Sequence, residues 1–125
     1  MPLFTGVATE DRAAAVADRL RQDFLRPGGL VTTLEETGEQ WDAPSGWAPL
    51  QWMAVSGLRR YGHNALADEV ARRWIGLTRR FFRETGRMAE KYDVCGSGET
   101  THLGEYESQY GFGWTNGIVT TLLTR

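Results

Sequence analysis

The chain has 125 residues, the size of one ordinary domain, and its 41% hydrophobic and 24% charged residues are typical of a folded protein. The net charge of −2 argues against a general nucleic-acid binder, and no apolar run reaches the roughly 20 residues of a membrane span. The single cysteine excludes an internal disulfide, and the first residues show no secretion signal.

Apolar residues recur at intervals of three and four along most of the chain, which predicts helices. The predicted helices cover residues 9–25, 47–61, 64–86 and 114–123. Thr9 and Asn64 are the expected N-caps, and Gly62 and Gly86 the expected C-terminal glycines. No strand pattern of comparable length occurs. We therefore expect an all-α unit of two hairpins, in which the first helix pairs with the second and the third with the fourth.

Two long connections, residues 26–46 and 86–113, separate these helices. Loops longer than about 12–15 residues are uncommon in compact domains and are usually functional or disordered. Both contain aromatic residues among glycines and carboxylates, which favours an ordered surface shaped around a ligand. Ring faces and carboxylates suit a sugar, so carbohydrate binding is one interpretation. The other is that these carboxylates cap helices and face water.

Histidine and cysteine give little support for other kinds of site. His63 and His102 lie far apart in sequence, so a histidine metal site is not expected. Cys95 has no evident base partner, which argues against a nucleophilic role.

A set of short motifs carries a more specific signal. Residues 40–49 read QWDAPSGWAP; PGGLVTT (27–33) precedes them, and LQWMAVSGL (50–58), EKYDV (90–94), GEY (104–106) and GFGWTNG (111–117) follow. In order and spacing this set resembles the α,α-trehalases, inverting glycoside hydrolases that cleave trehalose into two glucose molecules. The resemblance covers nearly the whole chain.

The resemblance implies an (α/α)6 barrel, a ring of six helical hairpins with the active site in loops at one end. Residues 1–125 would then be a single unit, the C-terminal segment of a trehalase-like catalytic domain, with about two of the six hairpins. This agrees with the helix count above.

The resemblance also implies roles for the two carboxylates. Glu90 would be the general base, which activates a water on the face opposite the leaving sugar, and Glu105 would bind substrate near the attacked carbon. Without the resemblance, an ion pair of Glu90 with Lys91 or Arg87 is the simpler interpretation.

The motif at residues 40–49 is expected to build the floor and rim of the site. Gln40, Trp41 and Trp47 are candidates for sugar contact. Asp42 is grouped with them as a substrate-site residue, and we expect it to orient the loop through backbone N–H bonds.

The family's catalytic acid, an Asp in an upstream segment, is missing from this chain. We therefore expect a chain that is incomplete and inactive alone, and marginally stable or oligomeric, because an open piece of a ring exposes apolar flanks. The alternatives are an inactive carbohydrate-binding or complementation module, and a truncated product with no function of its own.

The resemblance implies few partners. They are the disaccharide and the missing N-terminal part of the barrel, with no nucleic acid and no membrane. No metal or organic cofactor is expected, because two carboxylates and a water suffice. Family members occur in the cytoplasm and in the periplasm, so localisation stays open.

Overall fold

The computed structural model describes residues 2–96 and 104–124, and in this part of the chain helices dominate. The helices are α1 (Pro2–Thr5), α2 (Glu10–Arg19), α3 (Ala48–Arg60), α4 (Asn64–Thr85) and α5 (Gly113–Leu123). A π-helical turn, Leu20–Phe24, continues α2. Two short antiparallel ladders pair β1 (Leu25–Arg26) with β2 (Gly29–Leu30) and β3 (Ser45–Trp47) with β4 (Lys91–Asp93). The all-α class is confirmed, whereas the ladders are too short for the sequence pattern to show.

The ends of the helices follow the predicted signals with one exception. Gly62 and Gly86 have φ angles of +75° and +71°, as expected after the ends of α3 and α4. Thr9 occupies the N-cap position of α2, although its side chain makes no capping hydrogen bond. The prediction that Asn64 is an N-cap is wrong, because His63 holds that position and Asn64 is the first helical residue.

The helices pair differently from the prediction. α3 packs chiefly against α4, because only residues 61–63 join them, and α5 packs against both. α1, which the sequence pattern did not predict, packs on α3. The predicted pairing of the first helix with the second is therefore wrong. α2 faces α3 across an apolar cavity of about 390 Å³, since the long connection between them lets the two helices stand apart.

The core lies along α4 and the facing side of α3. The apolar stripe of α4, which includes Leu66, Val70 and Trp74, is buried as its spacing predicts. Gln51 of α3 is buried too, and its amide holds β2: Leu30 N–H donates to Gln51 Oε1 at 2.9 Å, and Gln51 Nε2 donates to the Leu30 carbonyl at 2.7 Å. The loop after α2 is thereby fixed on the core.

Within residues 2–96 and 104–124, no helix is long and apolar enough to cross a membrane.

Candidate active site

The β3–β4 ladder joins two of the motifs singled out above. Trp47 pairs with Lys91 and Gly46 with Tyr92, so the segment at residues 40–49 lies alongside the strand that follows Glu90. Val94, the residue after β4, extends this contact, because its N–H donates to the Pro44 carbonyl at 3.0 Å. A Cβ at Gly46 would lie 2.3 Å from Val94 Cγ1, so only glycine allows this close approach.

Glu90 is held by its backbone as well as by its neighbours. Its N–H donates to the Gln109 carbonyl at 2.8 Å, and its carbonyl accepts a bond from Trp114 Nε1 at 3.4 Å. One residue earlier, Ala89 N–H donates to the Tyr92 hydroxyl at 2.8 Å. The chain on both sides of Glu90 is therefore anchored before any ligand binds.

The carboxylate of Glu90 is buried, with 4% of the residue exposed. The Tyr106 hydroxyl lies 3.5 Å from Oε1, at the long limit of a hydrogen bond. The other oxygen, Oε2, is buried and accepts no hydrogen bond from the residues that the structure describes. No ion pair links Glu90 to Lys91 or Arg87 in that part of the chain, so the simpler interpretation given above does not hold there. A buried carboxylate oxygen without a protein donor is uncommon, and it keeps unused capacity to accept hydrogen bonds.

Three tryptophans lie together beside this carboxylate. Trp41 stacks on Trp47 with ring centroids 3.8 Å apart, and the edge of Trp114 meets Trp47 at 5.9 Å. Trp41 is 44% exposed, so it has a free face for a sugar ring. Trp47 is only 1% exposed, and the expectation that it contacts sugar directly is wrong for this arrangement. The Trp47 ring stacks on one face of Trp41 and leaves the other face of Trp41 exposed.

Gln40 connects the motif at residues 40–49 to Glu105. Its Oε1 accepts a hydrogen bond from Glu105 N–H at 3.0 Å, across 65 residues of sequence. Its Nε2 is buried without a partner among the described residues, and so it is free to donate to a ligand hydroxyl. The Glu105 side chain is exposed. The two predicted residues are therefore brought together, with the amide of Gln40 placing the backbone of Glu105.

Asp42 has a different role from its neighbours. Its carboxylate accepts bonds from Thr33 Oγ1 at 3.1 Å, from Thr37 N–H at 3.3 Å and from the Thr37 hydroxyl. These bonds, above all that from the Thr37 hydroxyl, lower the pKa of Asp42. The predicted orientation of the loop is observed, although hydroxyls contribute more of it than backbone N–H groups. Loop donors engage both oxygens, and substrate binding by Asp42 stays a prediction.

Lys91 is a residue that sequence reasoning missed, although it is the only lysine among 14 basic residues. It is 0% exposed, and Nζ donates to the Tyr106 carbonyl at 3.3 Å. Nζ also lies 4.7 Å from the ring centroid of Tyr106 and 5.7 Å from that of Trp47. Burial lowers the pKa of Lys91, and the charges of Glu90 and Glu105 act in the opposite direction.

Metal ligands are not assembled in the described ranges, where no group of three or more His, Cys, Asp or Glu side chains could hold an ion. His63 lies there, whereas His102 lies outside the described residues.

A helical fold that carries a buried carboxylate and an exposed tryptophan face suits one class of protein, a glycosidase-type enzyme family. Comparison with known proteins identifies that family more closely. The trehalase family model matches residues 1–125, and the chain belongs to the trehalase family.

Individual relatives agree with this assignment. The chain is 49% identical to the periplasmic trehalase of Pseudomonas aeruginosa over 122 residues, which cover 98% of this chain and 22% of that protein. It is 49% identical to the periplasmic trehalase of Xanthomonas axonopodis pv. citri, again over 98% of this chain and 22% of that protein. The chain thus spans about a fifth of the length of the curated relatives it matches.

A solved structure gives the fold. Neutral trehalase Nth1 from Saccharomyces cerevisiae superposes with a TM-score of 0.81 at 33% identity, covering 98% of this chain and 22% of that chain. The chain is therefore part of an (α/α)6 toroid, as predicted.

Proposed function

We propose that this chain supplies the general-base side of a trehalose-hydrolysing site, with Glu90 as the base. The observation that carries the proposal is the buried carboxylate of Glu90, whose Oε2 has no protein donor among the described residues. Its backbone is anchored on both sides, so the carboxylate is positioned before substrate arrives. Prior positioning of this kind lowers the entropic cost of reaching the transition state.

In this reaction Glu90 takes a proton from a water, and the water oxygen attacks the anomeric carbon of one glucose. The bond from that carbon to the glycosidic oxygen breaks, and a carboxylic acid outside this chain protonates the leaving oxygen. In inverting enzymes the acid and the base stand about 6.5–9.5 Å apart, which leaves room for the water. Trehalose has two α-linked glucoses, so the products are one β-glucose and one α-glucose.

The other residues of the site bind the sugar. The exposed face of Trp41 packs against C–H bonds of a glucose ring, and the free Nε2 of Gln40 donates to a hydroxyl. Glu105 accepts bonds from hydroxyls next to the attacked carbon, held in place by the bond from its N–H to Gln40. Three chemically different contacts thus converge on one sugar.

The test is a chimera, in which this chain replaces the aligned segment of the Pseudomonas aeruginosa periplasmic trehalase. We expect the chimera to release glucose from trehalose and Glu90→Gln to lower kcat by about 10²–10⁴-fold, the usual contribution of an acid–base residue. Glu107→Gln is the matched control, because Glu107 is an exposed carboxylate in the same loop.

A second measurement separates a base from a structural carboxylate. Azide needs no base, so adding it to the Glu90→Ala chimera should restore cleavage and form β-glucosyl azide. A Glu90→Gln chimera as active as the parent chimera would refute the assignment of the base.

An assay of the isolated 125-residue chain tests whether these residues catalyse the whole reaction or supply only its general base. We expect no glucose release from this chain. Release that is abolished by Glu90→Gln would mean that the acid lies within these residues. An inactive chimera that still binds trehalose would favour the alternative, a carbohydrate-binding or complementation module.

A further inference from the structure

Lys91 is buried in a way that needs an explanation. An ammonium group removed from water is costly unless it is paired, and among the described residues no carboxylate forms an ion pair with Nζ. The described partners of Nζ are the Tyr106 carbonyl at 3.3 Å and the faces of the Tyr106 and Trp47 rings. An apolar side chain of the same length would fill this space without burying a charge.

The contacts of Lys91 converge on one exposed segment, residues 104–106. Two other contacts hold that segment: Gln40 Oε1 accepts from Glu105 N–H at 3.0 Å, and the Tyr106 hydroxyl lies 3.5 Å from Glu90 Oε1. The first is an ordinary hydrogen bond and the second is at the long limit. The bond from Nζ therefore forms a third tie, between the segment and β4.

Lys91 is the first residue of β4 and directly follows Glu90 in sequence, so the proposed base and the tie are neighbours along the chain. The ammonium also lies over the ring of Trp47, which pairs with Lys91 across the ladder. A charge over two ring faces is attracted to both, most strongly when water is excluded. The segment bearing Glu105 is thus attached to the strand next to Glu90 through the buried Lys91 side chain and its part-buried bond to Tyr106.

We propose that Lys91 is a positioning residue, whose buried ammonium holds residues 104–106 against β4 and thereby fixes Glu105 relative to Glu90. The catalytic consequence rests on the function proposed above, whereas the tie itself does not. Lys91 acts through Tyr106 and touches no reacting atom.

Hydrogen exchange of the 125-residue chain tests the tie without any sugar. Lys91→Met keeps the length of the side chain and removes the charge, and the fold should be as stable as before or more so. We expect the amide of Glu105, which donates to Gln40 Oε1, to exchange at least tenfold faster in this variant, with exchange in α3 and α4 unchanged. Arg87→Met is the matched control, since Arg87 lies 5.2 Å over the ring of exposed Tyr110 and should leave the Glu105 amide unaffected. Unchanged exchange at Glu105 in Lys91→Met would overturn the proposal.

A second measurement uses the unsubstituted lysine, should Lys91→Met fail to fold. Because the chain has one lysine, labelling with ¹⁵N-lysine gives a single side-chain nitrogen signal. We expect Tyr106→Ala to move this signal and to speed exchange of its protons at least tenfold. Alanine keeps the backbone carbonyl and lacks the ring, so a signal that does not respond to Tyr106→Ala would overturn the ring contact on which the proposal draws.

Activity gives the final readout. In the chimera described above, Lys91→Met should lower kcat/KM for trehalose at least tenfold while leaving the midpoint of urea unfolding unchanged or higher. If Lys91 only stabilised the fold, kcat/KM and the midpoint of urea unfolding would fall together. An unchanged kcat/KM would overturn the role of Lys91 in the site. If Glu90→Gln has no effect on the chimera, the proposed function fails, but the exchange experiment still decides whether the tie exists.

Discussion

Gly46→Ala tests how tightly the two site motifs must approach one another. Gly46 lies in β3, the strand that pairs with β4. A Cβ added there would lie 2.3 Å from Val94 Cγ1 and 3.1 Å from the Leu30 carbonyl oxygen. Overpacking of a buried contact costs about 1–3 kcal/mol, whereas the lower entropy of the unfolded chain returns about 0.4–1 kcal/mol. Because 2.3 Å is far shorter than van der Waals contact, the upper end of the first range applies, and we expect the free energy of unfolding to fall by about 2 kcal/mol.

The neighbouring valine allows the cause to be isolated. Val94 is buried, and Val94→Ala should cost about 2 kcal/mol, because each methyl-sized group removed loses about 0.8 kcal/mol plus a cavity contribution. In the double variant the methyl of Ala at position 46 occupies space that Val94 has left. The double variant should therefore be about as stable as either single variant, with a coupling energy of about 2 kcal/mol.

Urea unfolding followed by tryptophan fluorescence measures all four proteins of the cycle. Gly76→Ala is the control, since nothing lies within 4 Å of its added Cβ in α4 and a helical glycine replaced by alanine should raise stability by about 1 kcal/mol. Additive effects of Gly46→Ala and Val94→Ala would refute the reasoning, because they would show that the two side chains do not compete for the same space.

Three further predictions concern the site itself. Gly104→Ala should lower stability by about 2 kcal/mol, because the φ angle of Gly104 is +82° and the added Cβ would lie 2.6 Å from Gln40 Oε1. Faster exchange of the Glu105 amide would show that its bond to Gln40 Oε1 is lost. Trp41→Ala should cost only about 1 kcal/mol, the value of its stacking on Trp47, while KM for trehalose in the chimera rises about tenfold; an unchanged KM would exclude Trp41 as a sugar contact. Burial raises the pKa of Tyr92 to about 12, above its ordinary value of 10.0, so the contribution of Tyr92 to stability should be complete below pH 10 and be lost as the pH rises towards 12. In urea unfolding at a series of pH values, Tyr92→Phe should therefore lose less stability than the parent chain over this interval. An equal loss in both proteins would contradict the assignment.

Local sequence signals predicted the helices well because these depend on spacing within one segment. The stripe of Leu66, Val70 and Trp74 is buried as predicted, and Gly62 and Gly86 have the positive φ angles expected of them. The pairing of α3 with α4 depends instead on the lengths of the connections. A three-residue link forces neighbours, whereas a long loop allows α2 to stand away from α3.

The site was predictable from its motifs only in part. The family resemblance implied Glu90, Gln40 and Trp41 as site residues, but not which ring of the tryptophan pair faces outward. Burial of Lys91 could not be predicted, because the cost of burying an ammonium argues for the surface unless the long-range partners are known. Tyr106 provides its carbonyl from 15 residues further along the chain.

The contacts around Glu90 join three segments of this chain. Each tie links segments of this chain: Gln40 to Glu105, Lys91 to Tyr106, and the carbonyl of Glu90 to Trp114. Under the proposed function, the base side of the site is thus held by contacts within this chain. The acid and the opposite wall would come from the rest of the chimera, which is why Glu90→Gln in the chimera tests the proposal.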